Sequence, residues 1–571
     1  MTHRPHTQWF MVTIALAAFV LVHVPAAQAL DYRLEETMVP MPDNVSLKTS
    51  TWLPQKDGRY PTILIRTPYG IENKAWIAEY LAPYGYAVVV QSVRGKDGSE
   101  GDFFPFAYEK TDGMATLDWV LKQPWCNGDI GLWGISYHGF AAFEIASSGH
   151  PSVKTMMCIS GWSELEPFMM HEGAFHLMAH LPWFVMFKGS ESPPAEAWPQ
   201  IFQATPIVQF FQGADQAMGQ LMSEPYDYSK FQASILHITG WYDYIYVNTL
   251  DTYERISTLA PDAGEQRLIV GVWPHNDALR GTTTAGDEDF GEDARWGLEP
   301  VKKLSREWFD LKLKGIDVDM GAEPPVKVFV MGDNEWRGYQ SWPPAGVENQ
   351  SWFVDCANRA NGSDGSGSLS TKDTEVRETD SFVYDPNDPV PTTGGANVHF
   401  FQNNLGVLDQ SEVEKRQDVL VYTSEPLEEP VTLIGPIRAH VYAATEGTNT
   451  DFTAKLVQVR QDGYVRNIAD GIARASYQFG LDSANMLEPS RIYEYEIDMG
   501  ATALVLEAGS RLRLEISSSN FPKYDRNPNT GEDAMYATEF VPVRQTVYHT
   551  KDYPTHVVLP VMGEELKRSE R

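Results

Sequence analysis

Between Tyr60 and Val272 the chain alternates short apolar runs with longer segments whose apolar positions recur near helical spacing. The runs are Thr62–Arg66, Tyr86–Gln91, Ile130–Trp133, Thr155–Ile159, Ile235–Thr239 and Arg267–Val272. Uninterrupted runs of this length, most of them rich in Val and Ile, read as strands buried on both faces of a mainly parallel sheet. Thr111–Leu121, with Met114, Leu117, Trp119 and Leu121, supplies one crossover helix. The alternation predicts an α/β domain in two parts, 30–161 and 231–315. The stretch 162–230 interrupts it, is rich in Met, Phe, Trp and His, and reads as a helical cap inserted over the sheet.

After Gly315 the texture changes. Short alternating runs such as Val326–Val330, Asp418–Tyr422, Ile437–Tyr442, Ala454–Val459 and Arg511–Ile516 are separated by many Pro and Gly. This pattern predicts a β-sandwich or jelly roll over 316–571. The tract Asn358–Thr371, rich in Gly, Ser and Asn, is expected to be a mobile surface loop. The N-terminus places His3, Arg4 and His6 before an apolar run from Phe10 to Val24 and then Ala27-Gln28-Ala29. That order predicts a cleaved signal peptide over 1–29, hence a secreted or periplasmic protein with no stable membrane anchor after cleavage.

A formal net charge of −32 excludes nucleic acid as an expected partner, because binding it requires clustered Lys and Arg. Three cysteines, Cys126, Cys158 and Cys356, cannot form a disulfide framework, and their spacing suggests no zinc site. A homo-oligomer is compatible with the sequence and not specified by it.

The chemistry concentrates where strands end. Gly134-Ile135-Ser136-Tyr137-His138-Gly139 joins a predicted strand to a helix of small residues. A nucleophile elbow needs this order, so that the serine is held outward and the helix N-terminus faces the developing charge. The spacing here is Gly-x-Ser-x-x-Gly, with His138 where the commoner elbow has its second glycine. A serine needs a base, and the base a carboxylate that fixes its tautomer. Asp243, in Gly240-Trp241-Tyr242-Asp243, and His275, in Trp273-Pro274-His275, follow two successive strands in the chain order serine, acid, histidine. Asp251 and Asp277 are the rival acids and His138 is the rival base.

These motifs resemble the hydrolases typified by cocaine esterase, the α-amino-acid ester hydrolases and the X-Pro dipeptidyl peptidases. The elbow is similar to that family's Gly-x-Ser-Tyr-x-Gly. Trp308-Phe309-Asp310, Val328–Gly332, Glu335-Trp336, Asp451–Leu456 and Ser517–Pro522 resemble its later segments. The resemblance implies an α/β-hydrolase core, a helical cap and a C-terminal jelly roll, with no metal or organic cofactor. It also implies an oxyanion hole made by the N–H of Tyr137 and the hydroxyl of Tyr69. Ser92 departs from the aspartate common in the family at that position, which puts one loop contact in doubt.

The expected function is hydrolysis of a small ester or amide through Ser136, His275 and Asp243. X-Pro dipeptidyl peptidase activity is an alternative; it needs cap carboxylates for a substrate amine, for which Glu164, Glu166 and Glu172 are candidates. A carbohydrate-binding or adhesion protein built on an inactive hydrolase core is the rival from another class.

Overall fold

The computed structural model describes residues 32–187, 193–210, 226–372, 378–398, 404–481 and 483–563. The predicted signal peptide lies outside them. Among the described residues no helix is long and apolar enough to cross a membrane.

Apolar runs without a polar face can be satisfied only inside a sheet covered on both sides, and the core sheet is built from such runs. Its strands are β1 (Tyr32–Pro40), β2 (Ser46–Pro54), β3 (Tyr60–Thr67), β4 (Ala87–Ser92), β5 (Cys126–Ile135), β6 (Val153–Ile159), β7 (Ser234–Tyr242), β8 (Gln266–Pro274), β9 (Val326–Val330) and β10 (Glu335–Tyr339). Their order across the sheet is β1-β2-β4-β3-β5-β6-β7-β8-β9-β10. From β4 through β9 all neighbours are parallel, and antiparallel pairs close both margins. All six residues of β4 are buried. Helices α1 (Ala75–Leu81), α2 (Glu109–Leu121), α3 (Tyr137–Ala146), α4 (Leu177–Phe187), α5 (Tyr246–Leu259) and α6 (Leu298–Lys314) complete the core and the cap.

Two margins of the sheet depart from the sequence reading. The hairpin β1–β2 was not anticipated; most of β1 is exposed, so it carries little of the apolar signal that marks the inner strands. Val326–Val330, expected to open the C-terminal domain, instead pairs in parallel with β8, with Val326 opposite Leu268. The core sheet therefore runs on to Tyr339, beyond the expected boundary at 315/316. A five-residue apolar strand has the same local pattern in either domain, and only its pairing partner decides.

The strands from Val347 onward form the C-terminal β-sandwich around a large buried cluster that includes Leu433, Ile437, Phe452, Leu456, Leu514 and Ile516. The Gly/Ser tract is not the expected loop throughout. Gly367–Ser370 is a strand, antiparallel to Val347–Cys356 and parallel to Leu420–Ser424. A Cβ on Gly367 would lie 2.2 Å from the carbonyl oxygen of Val421, so this glycine permits close strand approach rather than flexibility. Cap residues Met170–His171 and Ala174–Phe175 form a short antiparallel hairpin within an otherwise helical insertion, turning at Gly173 with φ of 85°.

Candidate active site

Strand β5 delivers Ser136 at its C-terminal end with φ of 58° and ψ of −127°, a conformation that costs a non-glycine residue energy and turns the chain sharply into α3. The displaced glycine of the motif has a steric reason. A Cβ on Gly139 would lie 2.6 Å from Cys158 Sγ and 3.2 Å from Gly161 Cα, and one on Gly134 would lie 2.4 Å from the backbone of His138 and Gly139. Both glycines are required for the turn to fold back onto β6.

Asp243 and His275 follow β7 and β8 in the same way. A Cβ on Gly240 would meet the Trp273 carbonyl oxygen at 2.2 Å, and one on Gly271 would overlap the Trp273 ring. The two glycines let Trp273 fold back, and β8 bulges between Gly271 and Pro274, immediately before His275. His275 Nδ1 lies 3.0 Å from both carboxylate oxygens of Asp243, and its Nε2 lies 3.0 Å from Ser136 Oγ. Asp243 is fully buried. It accepts the N–H of Ile245 at 2.9 Å and the hydroxyl of Ser160. Ser160 was not identified from sequence; it sits just past β6 with φ of 49°, and the run Ile159-Ser160-Gly161 was its only signal.

Tyr69 lies on the loop after β3. Its hydroxyl oxygen accepts the indole N–H of Trp183 at 3.2 Å. Burial pushes its pKa up to about 12, so it remains a donor across the working pH range. The N–H of Tyr137 opens α3, where no intrahelical carbonyl is available to it. The Tyr137 side chain turns the other way, donating to Glu109 Oε1 at 2.8 Å and accepting the N–H of Phe106. Tyr69, Ser136, Tyr137 and His275 line one cavity of about 580 Å³, together with Phe106, Trp162, Phe168, Trp183, Met186 and Tyr244.

Residues 43–277 match the sequence profile of the X-Pro dipeptidyl-peptidase (S15 family), and residues 319–558 that of the X-Pro dipeptidyl-peptidase C-terminal non-catalytic domain. A cocaine esterase from Rhodococcus is 32% identical over 92% of this chain and 98% of its own. The chain belongs to this family of serine hydrolases. A putative serine esterase of Mycobacterium bovis is a more distant member, 23% identical over 84% of this chain and 83% of its own. In fold, an aminopeptidase from a Thaumarchaeota archaeon superposes with a TM-score of 0.77 at 24% identity, covering 94% of this chain and 98% of its own. An α-amino acid ester hydrolase gives 0.75 at 23% identity, covering 96% and 100%.

Within this family member the rival residues stand apart from the serine. Asp251 is engaged by Arg255 at 2.7 Å, and Asp277 by Arg280 at 3.0 Å. His138 lines the cavity, but its Nδ1 is 2.7 Å from the Ile135 carbonyl and its Nε2 2.9 Å from Thr67 Oγ1. Nδ1 must donate to that carbonyl; burial, and next Lys74, hold the ring well below the ordinary histidine pKa, so the neutral ring accepts from Thr67. Ser92 stabilises its loop in another way, donating to the Lys96 carbonyl at 3.1 Å. Asp97 of the same loop accepts the N–H of Ile71, just past Tyr69.

The cap glutamates do not converge on Ser136. Glu164 pairs with Arg255 at 3.6 Å. Glu166 and Glu172 face a second cavity of about 310 Å³ between the cap, α5 and the C-terminal domain. Burial, and next the neighbouring carboxylates Glu164 and Asp498 respectively, push their pKa values up to about 7 and about 8. Cys126, Cys158 and Cys356 are buried and form no disulfide.

Proposed function

We propose that this serine hydrolase cleaves small esters or amides through an acyl-enzyme formed on Ser136. His275 Nε2 takes the hydroxyl proton as Ser136 Oγ attacks the carbonyl carbon, and returns it to the leaving group. Asp243 fixes the Nδ1–H tautomer and stabilises the imidazolium. The Tyr137 N–H and the Tyr69 hydroxyl receive the charge that develops on the carbonyl oxygen. Water then repeats the sequence on the acyl-enzyme. The observation that carries this reading is the unbroken hydrogen-bonded chain Ser136–His275–Asp243 opening into an aromatic cavity.

Labelling with a fluorophosphonate tests it directly. The wild type should be labelled on Ser136, and Ser136→Ala should lose both label and turnover while remaining folded; retained turnover would overturn the assignment. X-Pro dipeptidyl peptidase activity has the S15 match in its favour, but among the described residues no carboxylate lines the cavity to receive a substrate amine. An X-Pro p-nitroanilide left uncleaved while p-nitrophenyl esters turn over would separate the two. Export through residues 1–29 belongs to the same proposal, and N-terminal sequencing of the protein from culture medium or periplasm, beginning at Leu30, would support it.

A further inference from the structure

The cavity that holds Ser136 contains a cation that the proposed chemistry leaves unused. Lys74 lines it, is only 9% exposed, and ends the short turn Ile71–Lys74 that follows Tyr69. An ammonium presents three donors and seeks acceptors for them. The contact recorded for Lys74 Nζ is with the Asn73 carbonyl at 3.5 Å, the far limit of a hydrogen bond. Among the described residues no carboxylate offsets its charge, and burial lowers its pKa to about 8. A buried cation without a counter-charge costs stability, and such groups concentrate where a ligand supplies the missing charge.

Its position is fixed relative to the proposed oxyanion hole. The Asn73 side-chain amide donates to the Tyr69 carbonyl, and the Ile71 N–H is held by Asp97, so the turn bearing Lys74 is tied to the loop bearing Tyr69. The lining around it is aromatic, aliphatic or neutral-polar, with no Asp or Glu among the described residues. Asp243 stands behind His275, fully buried and engaged. A substrate ammonium would meet a like charge here, whereas a carboxylate would complete the set. The chain's net charge of −32 repels anions at long range, which makes a cation inside the cavity the more selective feature.

We propose that Lys74 binds a carboxylate on the substrate, so that the preferred substrates are esters or amides that also carry a carboxylate. This rests on the reading of Ser136 as nucleophile. The carboxylate can belong to the acyl part, as in a half-ester of a dicarboxylic acid, or to the leaving group.

Two substrate pairs distinguish these sources: the p-nitrophenyl monoester of adipic acid against p-nitrophenyl hexanoate, and 4-acetoxybenzoate against 4-acetoxybenzamide, each corrected for spontaneous hydrolysis. A charge-assisted contact should raise kcat/KM for the carboxylate member at least about tenfold in one pair at pH 7. In Lys74→Met that ratio should collapse toward one, and Lys74→Arg should recover part of it. In the wild type the ratio should fall as pH rises from 7 to 9.5. Lys74, with its pKa lowered to about 8, is charged below that pH and neutral above it, and kcat/KM reports the free enzyme. The other titratable groups facing the cavity do not mimic this. His138 and His180 are pushed down by burial, Tyr69 and Tyr244 are pushed up by it, and His275 acts on both members of a pair. Ratios near one in both pairs, a preference that survives Lys74→Met, or a ratio that stays constant with pH would overturn the inference. So would hydrolysis of none of the four by enzyme that a fluorophosphonate labels at Ser136. Absence of labelling would instead remove the hydrolytic reading, and this inference with it.

Discussion

Tyr69→Phe removes one hydroxyl and almost no volume, and the geometry allows its two effects to be separated. In the ground state the phenol oxygen accepts the Trp183 indole N–H at 3.2 Å. Losing that acceptor costs about 0.5–1.5 kcal/mol of stability, the net worth of one hydrogen bond, so the variant should fold with a slightly lower Tm. In the proposed mechanism the same hydroxyl is one of two donors to the oxyanion in the transition state. Removing one such donor costs roughly 2.7–4 kcal/mol, or about a hundred- to a thousandfold in kcat. KM should change little, because the bond strengthens only as the carbonyl becomes tetrahedral. The assay is single-turnover release of p-nitrophenol in a stopped-flow instrument, which isolates acylation from deacylation. Trp183→Phe is the control: it removes the donor to Tyr69 and leaves the phenol hydroxyl, so its acylation rate should fall far less. A Tyr69→Phe acylation rate within about threefold of wild type would refute the reasoning and move the oxyanion hole to backbone amides near Pro68 and Gly70.

Asp243→Asn should lower kcat on the order of ten-thousandfold by favouring the wrong histidine tautomer, while Asp251→Asn and Asp277→Asn stay within a few-fold; the reverse order in steady-state assays would reassign the acid. Ser160→Ala withdraws a hydroxyl from the buried Asp243 carboxylate and should cost about 1.5–3 kcal/mol in denaturant unfolding, with roughly a tenfold loss of kcat; an unchanged unfolding midpoint would show that the contact carries no weight. Glu172→Gln should stabilise the fold, and more so at higher pH. The carboxyl is held neutral in the folded state up to about pH 8 but ionises near 4.5 when unfolded, so the unfolded state gains ground between those values. The gain should be near zero below pH 4.5 and on the order of 1–3 kcal/mol at pH 8, and a Tm difference that did not grow with pH would contradict it.

The parallel strands were legible because burial on both faces leaves no polar alternation, and the helix-poor C-terminal half because Pro and Gly punctuate it at short intervals. The juxtaposition of Ser136, Asp243 and His275 was legible for a related reason: Gly134, Gly139, Gly240 and Gly271 are positions where a side chain would collide, so the residues beside them stand in recognisable contexts. Tyr69 was not legible from its surroundings alone, since its meaning depends on facing a serine 67 positions later. Ser160 gave no pattern because one hydroxyl beside one carboxylate has no period and no spacing. The cap glutamates, readable in the sequence as amine ligands or as a solvated surface, fit neither reading fully. Acidic residues near a site in sequence say nothing about which cavity they face, and Glu166 and Glu172 line the other cavity, which among the described residues shares only Tyr244 with the one that holds Ser136.

The continuation of the core sheet through β9 and β10 bears on how the molecule can be divided. A fragment ending at residue 315 would retain Ser136, Asp243 and His275 yet leave β8 as an open margin, with the N–H of Leu268 deprived of the Pro325 carbonyl and the Ile269–Val270 backbone deprived of β9. An uncovered apolar strand of this kind templates intermolecular pairing, so such a fragment should aggregate. Trp241, two residues before Asp243, would also lose the Phe329 carbonyl that its indole now engages at 2.8 Å. A fragment that keeps the core sheet whole must therefore extend at least to Tyr339. Within that stretch Met331 donates to the Ala503 carbonyl and accepts the Val505 N–H, backbone bonds that tie the core sheet to the sandwich, so the two should unfold as one cooperative unit.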